Sequence, residues 1–368
     1  MRYLNAEDIE YLAIGAAVLG TGGGGDPYLG KLMAKQAIRE KGPVRLINVD
    51  DLADDDWVIP TAMMGAPAVL LEKLPNGGEP ESCFKTIQGF LEKPAVATMS
   101  LEAGGINSCI PVYTAARLQI PLVDADGMGR AFPEIPMVSF SLDGVPASPM
   151  VCVDEKGNQV LLHTIDNAWV ETLSRAVTVA MGLASMIGLY VMNGATLKKS
   201  AIRGTISLCM DIGKAIIDAT SRNISAVDSI LKITKGYVIF GGKLIDVQRE
   251  LSTGFVRGRA SFEGIGPNKG QVFDMDFQNE NLIGYIDGEP KAMVPDLITV
   301  LDLESGTPIT TETLRYGQRV IIIGMPCAPI WRTEKGLKQV GPRYFKYDMD
   351  YVPIEELVGD VKSRENTT

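Results

Sequence analysis

The sequence of 368 residues contains a single histidine, His163. A Ser-His-Asp triad would have to use this residue, and a three-histidine zinc site or an HExxH helix needs more histidines than the chain has. We therefore expect His163 to be structural, and most imidazole chemistry is excluded.

Cysteine is also sparse. The chain has five cysteines, and an odd number of cysteines cannot all pair within one chain. This, together with the absence of CxxC spacing, favours reduced thiols in a cytoplasmic protein. Cys109, one turn into a predicted helix, fits a small core residue better than a nucleophile. The five cysteines are Cys83, Cys109, Cys152, Cys209 and Cys327.

Positive charge is in deficit, with 35 Lys and Arg against 45 Asp and Glu and a formal net charge of -10. Such a balance repels nucleic acid and anionic membrane surfaces. The first residues, MRYLNAEDIEYLA, lack the pattern of a secretory signal. We therefore expect a cytoplasmic protein with a small-molecule substrate, and neither a nucleic-acid nor a membrane partner.

One segment, 176–197, has 22 consecutive uncharged residues, which is long enough to cross a bilayer. Its Gly, Ala, Ser, Thr and Asn content favours a buried central helix instead, because small residues let neighbouring backbones approach closely.

A glycine run at 20–25 follows a predicted amphipathic helix that Asn5 caps, and precedes a second helix that starts at Asp26-Pro27. It lacks the GxxxxGK[ST] pattern and does not follow a strand, which argues against nucleotide binding. We favour a close approach of this backbone to a flat ligand. The residues concerned are Gly22, Gly23, Gly24 and Gly25.

Strands and helices alternate in the first third of the chain, which predicts an α/β domain whose mostly parallel sheet is covered on both faces. Residues 166–233 are predicted to be helical, so this domain spans 1–235. After Gly236 the hydrophobic period changes to two, which predicts an all-β, barrel-like or sandwich domain at 236–332. Residues 333–368 form a C-terminal segment.

The predicted elements of the first domain are strands 44–49, 57–63, 95–101 and 120–123, helices 81–91 and 106–118, and an antiparallel addition at 138–142, 150–153 and 159–162. The predicted strands of the second are 237–240, 243–251, 254–262, 271–277, 282–286, 296–302 and 319–324.

Three of the predicted parallel strands are followed by acids and glycines, at the edge of the sheet where ligands bind in open α/β folds. Two carboxyls near an arginine can have different pKa values, so that one is an ionised base and the other a protonated acid. The backbone amides of glycines at the start of a helix can bind anions. The same residue types are also common in turns and solvated loops. The candidates are Glu72 after the first strand, Glu102, Gly104, Gly105 and Asn107 after the second, and Asp124, Asp126, Arg130 and Glu134 after the third.

Five segments together carry a resemblance: GTGGGGDP at 20–27, EAGGIN at 102–107, DADGMGRAFPE at 124–134, NENL at 279–282 and VGPRYF at 340–345. The chain resembles the S-methyl-thiohydantoin desulfurase family, often found beside hydantoinase/oxoprolinase genes. The resemblance implies a three-layer α/β domain, a C-terminal β-barrel-like domain, and hydrolysis of an S-methylated thiohydantoin to a hydantoin and methanethiol.

The first hypothesis is a hydrolase of a five-membered cyclic amide-like ring. Asp124 or Asp126 would take a proton from water, and Glu102 or Glu134 would protonate the leaving sulfur or a ring nitrogen. Arg130 and the glycine amides would stabilise developing negative charge. An alternative is that the carboxylates hold a divalent metal, for which oxygen ligands suit Mg²⁺ or Mn²⁺.

A second hypothesis is a non-catalytic ligand-binding or regulatory subunit that works with a hydantoinase-type partner. In either case we expect a homo-oligomer. We also predict that the C-terminal part closes over the strand-end cluster, with Arg343 supplying a positive group for a substrate carboxylate or oxyanion. The competing interpretation is that Arg343 pairs with a surface acid.

Overall fold

The structure is a computed structural model that describes residues 2–65, 69, 73–252 and 255–365. The predicted site residue Glu72 lies outside the described residues. The helices are α1 (Asp8–Leu19), α2 (Tyr28–Lys41), α3 (Glu79–Leu91), α4 (Ile110–Leu118), α5 (Ser139–Leu142), α6 (Asn167–Ala180), α7 (Gly194–Ser200), α8 (Thr205–Arg222), α9 (Ala226–Thr234), α10 (Glu334–Val340) and α11 (Ile354–Glu365).

The strands of the N-terminal part are β1 (Arg2–Leu4), β2 (Val44–Ile47), β3 (Trp57–Gly65), β4 (Ala95–Ser100), β5 (Leu122–Val123), β6 (Ala125–Asp126), β7 (Met150–Val153), β8 (Gln159–Leu162), β9 (Ala184–Gly188), β10 (Met192–Asn193) and β11 (Ile202–Arg203). Those of the C-terminal part are β12 (Tyr237–Ser252), β13 (Phe255–Gly264), β14 (Val272–Gln278), β15 (Glu280–Ile286), β16 (Glu289–Met293), β17 (Leu297–Asp302), β18 (Pro308–Ile309) and β19 (Arg319–Met325).

The first sheet has the strand order β1-β2-β5-β4-β3-β9-β7-β8, with β10 also paired to β3. Strands β2, β5, β4 and β3 are parallel, and β1, β9, β7, β8 and β10 add antiparallel pairs. The predicted α/β layer, with its antiparallel hairpin of β7 and β8, is confirmed.

Helices cover both faces of this sheet. Val58 and Ala62 of β3 pack in one apolar cluster, while Ile59 and Met63, which alternate with them, pack in another. The second cluster includes Phe84 of α3, and the first includes residues of α1, α6 and α8. Burial on both faces explains why β3 is an almost continuous apolar run.

Two predictions for the N-terminal part are wrong. Segment 176–197 is not one central helix, because α6 ends at Ala180 and both Gly182 and Leu183 have positive φ values. The chain then forms the fully buried strand β9 beside β3. A short buried strand and a buried helix have the same uncharged composition. Segment 138–142 is helix α5 rather than a strand, because its backbone closes a helical turn after extended Val138.

No helix in the described ranges is long and apolar enough to cross a membrane.

The second sheet is antiparallel throughout, in the order β16-β15-β14-β13-β12-β19-β17-β18. β12 is one continuous strand where two were predicted, and β16 and β18 were not predicted. The predicted all-β domain is confirmed as an antiparallel sheet, but its two edge strands are not paired with each other, so the described strands form an open sheet and the barrel-like closure is not found. Strand periodicity in a sequence cannot show whether the edges of a sheet meet.

The glycine run joins α1 to α2, as predicted, and it also joins the two sheets. The backbone carbonyl of Thr21 accepts a hydrogen bond from the N–H of Asn281 at 2.7 Å, and that of Gly22 accepts from Thr311 N–H at 2.8 Å. Thr299 of β17 donates its hydroxyl to the carbonyl of Val18 at 2.7 Å. These bonds hold the second sheet, including the start of β15, against the end of α1 and the glycine run.

Candidate functional site

A small cavity of about 70 Å³ lies where the ends of β3 and β4 meet the start of β15. Most of its wall is apolar, and its polar groups come from both sheets. The lining residues are Gly24, Met63, Met64, Gly65, Leu101, Glu102, Asn107, Met128, Phe132, Pro133, Glu134, Ile135, Arg175, Ile187, Asn279 and Glu280.

Glu102 follows β4 and is buried on the wall of this cavity. Its Oε1 accepts a hydrogen bond at 2.5 Å from Nδ2 of Asn107. Asn107 is itself fixed to the backbone of Met63, through Oδ1 at 2.6 Å and Nδ2 at 3.0 Å. No hydrogen-bond partner is found for the buried Oε2 within the described residues. Burial raises the pKa of Glu102 from 4.5 to about 7, against the opposing effect of Asn107.

Glu280 begins β15 and brings a second buried carboxyl to the same cavity. Its Oε1 accepts a hydrogen bond at 3.2 Å from the N–H of Gly24. Oε2 is buried and has no partner among the described residues. Burial, and next the charge of Glu102, raise the pKa of Glu280 well above its ordinary value. Because an ionised carboxyl disfavours ionisation of its neighbour, the charge of Glu102 favours the protonated form of Glu280.

Arg130 is the buried cation beside this pair. Its guanidinium donates to the carbonyls of Pro295 and Asp296, at 2.7 and 2.9 Å, and to Thr21 Oγ1 at 2.8 Å. Burial lowers the pKa of Arg130 to about 10, while the charge of Glu280 acts in the opposite direction. The group is still cationic at pH 7, so its charge favours the ionised forms of Glu280 and Glu102. It does not line the cavity.

The glycine run makes the close approach of the backbone to Glu280 possible. A Cβ at position 23 would lie 2.1 Å from Oε1 of Glu280. Gly24 has a φ of +69°, and a Cβ there would lie 2.8 Å from the carbonyl carbon of Gly104. The N–H of Ile106 bonds the carbonyl of Gly24 at 2.9 Å, so the run is packed between the loop after β4 and the second sheet.

Two protein-family models together match nearly the whole chain. The model of the S-Me-THD-like N-terminal domain matches residues 7–164, and that of the S-Me-THD-like C-terminal domain matches residues 165–354. The chain belongs to the S-Me-THD-like family. The family resemblance expected from the sequence motifs is therefore confirmed.

The S-Me-THD-like chain is also similar to a protein from Chromobacterium violaceum whose structure was solved by X-ray crystallography. The TM-score is 0.81 and the sequence identity 24%, over 96% of this chain and 100% of that one. At this identity the likeness shows the fold alone. No curated protein matches the chain.

Of the residues that the sequence singled out in this S-Me-THD-like chain, Glu102, Asn107, Glu134 and Gly24 line the cavity. Asp124, Asp126, Arg130 and Arg343 do not, and neither do the glycines Gly22, Gly23, Gly25, Gly104 and Gly105. Glu280, in contrast, was noted within the NENL motif, in a turn expected to make a ligand or domain contact, and was not predicted as a site residue. A lone acid directly before the buried run of β15 is the sequence signal that could have identified it.

The two aspartates of the third segment are engaged in holding the backbone. Asp124 accepts bonds from the N–H and hydroxyl of Ser207, at 3.0 and 2.6 Å, in the first turn of α8. Asp126 Oδ2 accepts from the N–H groups of Ala103, Met128 and Gly129 at 2.6 to 3.1 Å. Burial raises the pKa of Asp126 to about 7. In this position Asp126 fixes the loop that carries Glu102.

Glu134 lies at the mouth of the cavity, where Tyr344 donates its hydroxyl to Oε2 at 2.5 Å. Burial raises its pKa, and the Tyr344 bond opposes that rise. Arg343 instead pairs on the surface with Asp348 and Asp350, at 3.1 and 2.6 Å. The C-terminal segment thus reaches the mouth through Tyr344, whereas Arg343 points to the two surface acids.

The side chains that could act as metal ligands are not grouped into a metal centre. Across residues 2–65, 69, 73–252 and 255–365, no group of three or more His, Cys, Asp or Glu side chains could hold an ion. His163 is exposed, and its nearest polar contact is Ser148 at 3.4 Å. All five cysteines are buried; burial raises the pKa of Cys109 to about 12. We derive no metal or thiolate step.

Proposed function

We propose that the chain is a hydrolase that converts an S-methylated thiohydantoin, or a closely related five-membered cyclic amide-like ring, to the hydantoin and methanethiol. The observation that carries the proposal is the pair of buried carboxyls, Glu102 and Glu280, on one largely apolar cavity. The methionine and phenylalanine side chains of the wall offer apolar contact to a flat ring, and an acid beside a base is what hydrolysis requires. Family membership supports the same reaction.

The pair can complete the reaction and return to its starting state. We assign Glu102 the role of the base and Glu280, whose pKa is raised well above its ordinary value, the role of the acid. Glu102 takes a proton from water as the oxygen bonds the ring carbon, and Glu280 protonates the ring nitrogen of the C=N bond. Glu102 then gives its proton to sulfur as the C–S bond breaks, and Glu280 takes the hydroxyl proton as C=O forms.

This assignment replaces the expected base. Asp124 and Asp126 were proposed from sequence as bases, but neither lines the cavity. Both oxygens of Asp124 accept bonds from Ser207 of α8, and Oδ2 of Asp126 holds the loop after β4, while its Oδ1 is buried without a partner among the described residues. Asn107 acts as a positioning residue, because its amide holds Oε1 of Glu102 and leaves Oε2 for the substrate. Gly24 positions Glu280 in the same way through its N–H.

The test is release of methanethiol from an S-methylated thiohydantoin by the purified chain, followed with a thiol reagent. We expect Glu280→Gln to lower kcat by about a hundredfold or more, the usual contribution of a general acid or base. Glu312→Gln is the matched control, since burial also raises the pKa of Glu312 but it lies outside the cavity. A folded Glu280→Gln variant with wild-type kcat would remove Glu280 from the mechanism.

If the wild-type chain alone releases no methanethiol and hydrolyses no hydantoin, the hydrolase proposal is wrong. Turnover that appears only with a co-purifying hydantoinase-type partner would favour the regulatory-subunit hypothesis.

A further inference from the structure

Carboxyl groups predominate among the charged side chains of the cavity wall. Glu102, Glu134 and Glu280 line the cavity, together with one guanidinium, that of Arg175. Arg175 donates to a glutamate outside the wall, and the amide of Asn107 donates to Glu102 and to a backbone carbonyl. A ligand that brings N–H groups of its own therefore suits this wall better than a ligand that brings only acceptors.

Two of these carboxyls each have one oxygen without a partner. Oε2 of Glu102 and Oε2 of Glu280 are buried, and neither has a hydrogen-bond partner in the part of the chain that the structure describes. Their other oxygens accept bonds from Asn107 at 2.5 Å and from the N–H of Gly24 at 3.2 Å. Because a buried polar atom without a partner is unfavourable, we expect a ligand to bring a polar group to each of these two oxygens.

The roles assigned above make the two carboxyls different from each other. Glu280 is the protonated acid, which the charge of Glu102 favours, and Glu102 is the ionised base. The pair then offers one O–H donor and one carboxylate acceptor. An amidine edge, H–N–C=N, offers the matching acceptor and donor, and the carbon between its nitrogens is the one that water attacks.

A ring with a methylthio group matches this pair only in part. Its C=N nitrogen can accept the proton of Glu280, but its sulfur carries no hydrogen to donate to Glu102. A ring with an amino group in the same place supplies that hydrogen. The amino group is also smaller than the methylthio group, in a cavity of about 70 Å³.

The amino group also needs the proton that this site can deliver. A thiolate can leave a tetrahedral carbon without being protonated, whereas an amine leaves only after its nitrogen has taken a proton. A buried carboxyl with a raised pKa, such as Glu102, can hold the proton taken from water and pass it to the leaving nitrogen.

We propose that the site also acts on cyclic guanidines, which are five-membered rings with an amino group in place of the methylthio group, and converts them to the hydantoin and ammonia. The proposal rests on the carboxyl pair of the proposed function, but not on sulfur as the leaving atom.

The atoms and protons of this reaction balance. Water bonds the ring carbon as its proton passes to Glu102, and Glu280 protonates the ring nitrogen of the C=N bond. The proton on Glu102 then passes to the amino nitrogen, which leaves as ammonia when the C–N bond breaks. Glu280 regains a proton from the hydroxyl as C=O forms, so both carboxyls return to their starting states.

Two matched rings test the proposal on the purified chain. Glycocyamidine carries the amino group and S-methyl-thiohydantoin the methylthio group; ammonia is measured with glutamate dehydrogenase and methanethiol with a thiol reagent. We expect kcat/KM for ammonia release to be at least about a tenth of that for methanethiol release. S-methyl-thiohydantoin should inhibit ammonia release competitively, with an inhibition constant equal to its own KM, because one site binds both rings.

Variants assign the ammonia release to this site. Glu280→Gln should lower it by about a hundredfold or more, whereas the control Glu312→Gln, at a buried acid outside the cavity, should not. Undiminished ammonia release by a folded Glu280→Gln variant would overturn the proposal.

Binding to the slow Glu280→Gln variant tests the contact with Glu102. Methylamino and methylthio rings have the same number of heavy atoms, but only the methylamino group has an N–H. We expect calorimetry to give a Kd lower by about tenfold or more for the methylamino ring, because its N–H donates to a charged group. Equal Kd values would contradict this contact.

The outcomes separate this proposal from the reaction proposed above. Methanethiol release without ammonia release would overturn the action on cyclic guanidines alone. Ammonia release without methanethiol release would support that action and overturn the thiohydantoin reaction. Release of neither product would overturn both.

Discussion

Replacement of Glu102 by glutamine should change how the stability of the protein depends on pH. In the unfolded chain a glutamate ionises near 4.5, whereas burial raises the pKa of Glu102 in the folded protein to about 7. Between these values the folded state binds more protons than the unfolded state, so the free energy of unfolding falls as pH rises. Below pH 4.5 and above pH 7, Glu102 no longer contributes to the change of the free energy of unfolding with pH.

The size of the effect follows from the two pKa values. Each pH unit between the two pKa values changes the free energy of unfolding by about 1.4 kcal/mol. The interval from 4.5 to about 7 therefore lowers the free energy of unfolding of the wild type by about 3 kcal/mol. Glutamine cannot ionise, and its carbonyl can still accept the bond from Asn107. Removing the charge of Glu102 also lowers the pKa of Glu280, because that charge is one cause of its rise.

Urea unfolding of the wild type and of Glu102→Gln at pH 4.5 and pH 8 measures this difference. Between these two pH values, we expect the free energy of unfolding to fall by about 3 kcal/mol less in the variant than in the wild type. We also expect the variant to be inactive. Glu334→Gln is the control, since it removes an exposed carboxylate that pairs with Lys338. Equal pH dependence of the wild type and Glu102→Gln would refute the buried, proton-holding state of Glu102.

Two further substitutions test the neighbourhood of the pair. Gly23→Ala places a Cβ 2.1 Å from Oε1 of Glu280, so it should lower kcat by about tenfold or more in the methanethiol assay. The control Gly89→Ala, whose Cβ meets nothing within 4 Å, should leave kcat unchanged. Wild-type activity of Gly23→Ala would contradict the packing of Glu280. Arg343→Ala should leave KM and kcat within about twofold, because exposed ion pairs contribute little; a tenfold rise in KM would restore Arg343 as a substrate ligand.

Local sequence patterns determined much of the N-terminal fold. The glycine run between two helices, the alternation of strands and helices, and the hairpin of β7 and β8 all follow from short-range signals such as caps, turns and periodicity. The position of Glu102 after β4 follows from the same signals, because ligands bind where parallel strands end. The family motifs were likewise readable without a structure.

Other features depended on contacts between distant parts of the chain. Segment 176–197 forms strand β9 because it pairs with β3, and its composition suits a buried helix equally well. Sequence also could not rank the acids by role. Asp124 and Asp126 satisfy backbone N–H groups, and this becomes visible only once α8 and the loop after β4 are placed beside them.

The second carboxyl of the site shows the limit most clearly. Glu280 lies 178 positions after Glu102, and a hydrogen-bonded glycine run brings the start of β15 to the end of β4. Sequence alone determined which residue types end each strand, because that depends on local conformation. Only the tertiary structure decided that these two carboxyls share a cavity, because the burial that raises both pKa values arises from the packing of two sheets.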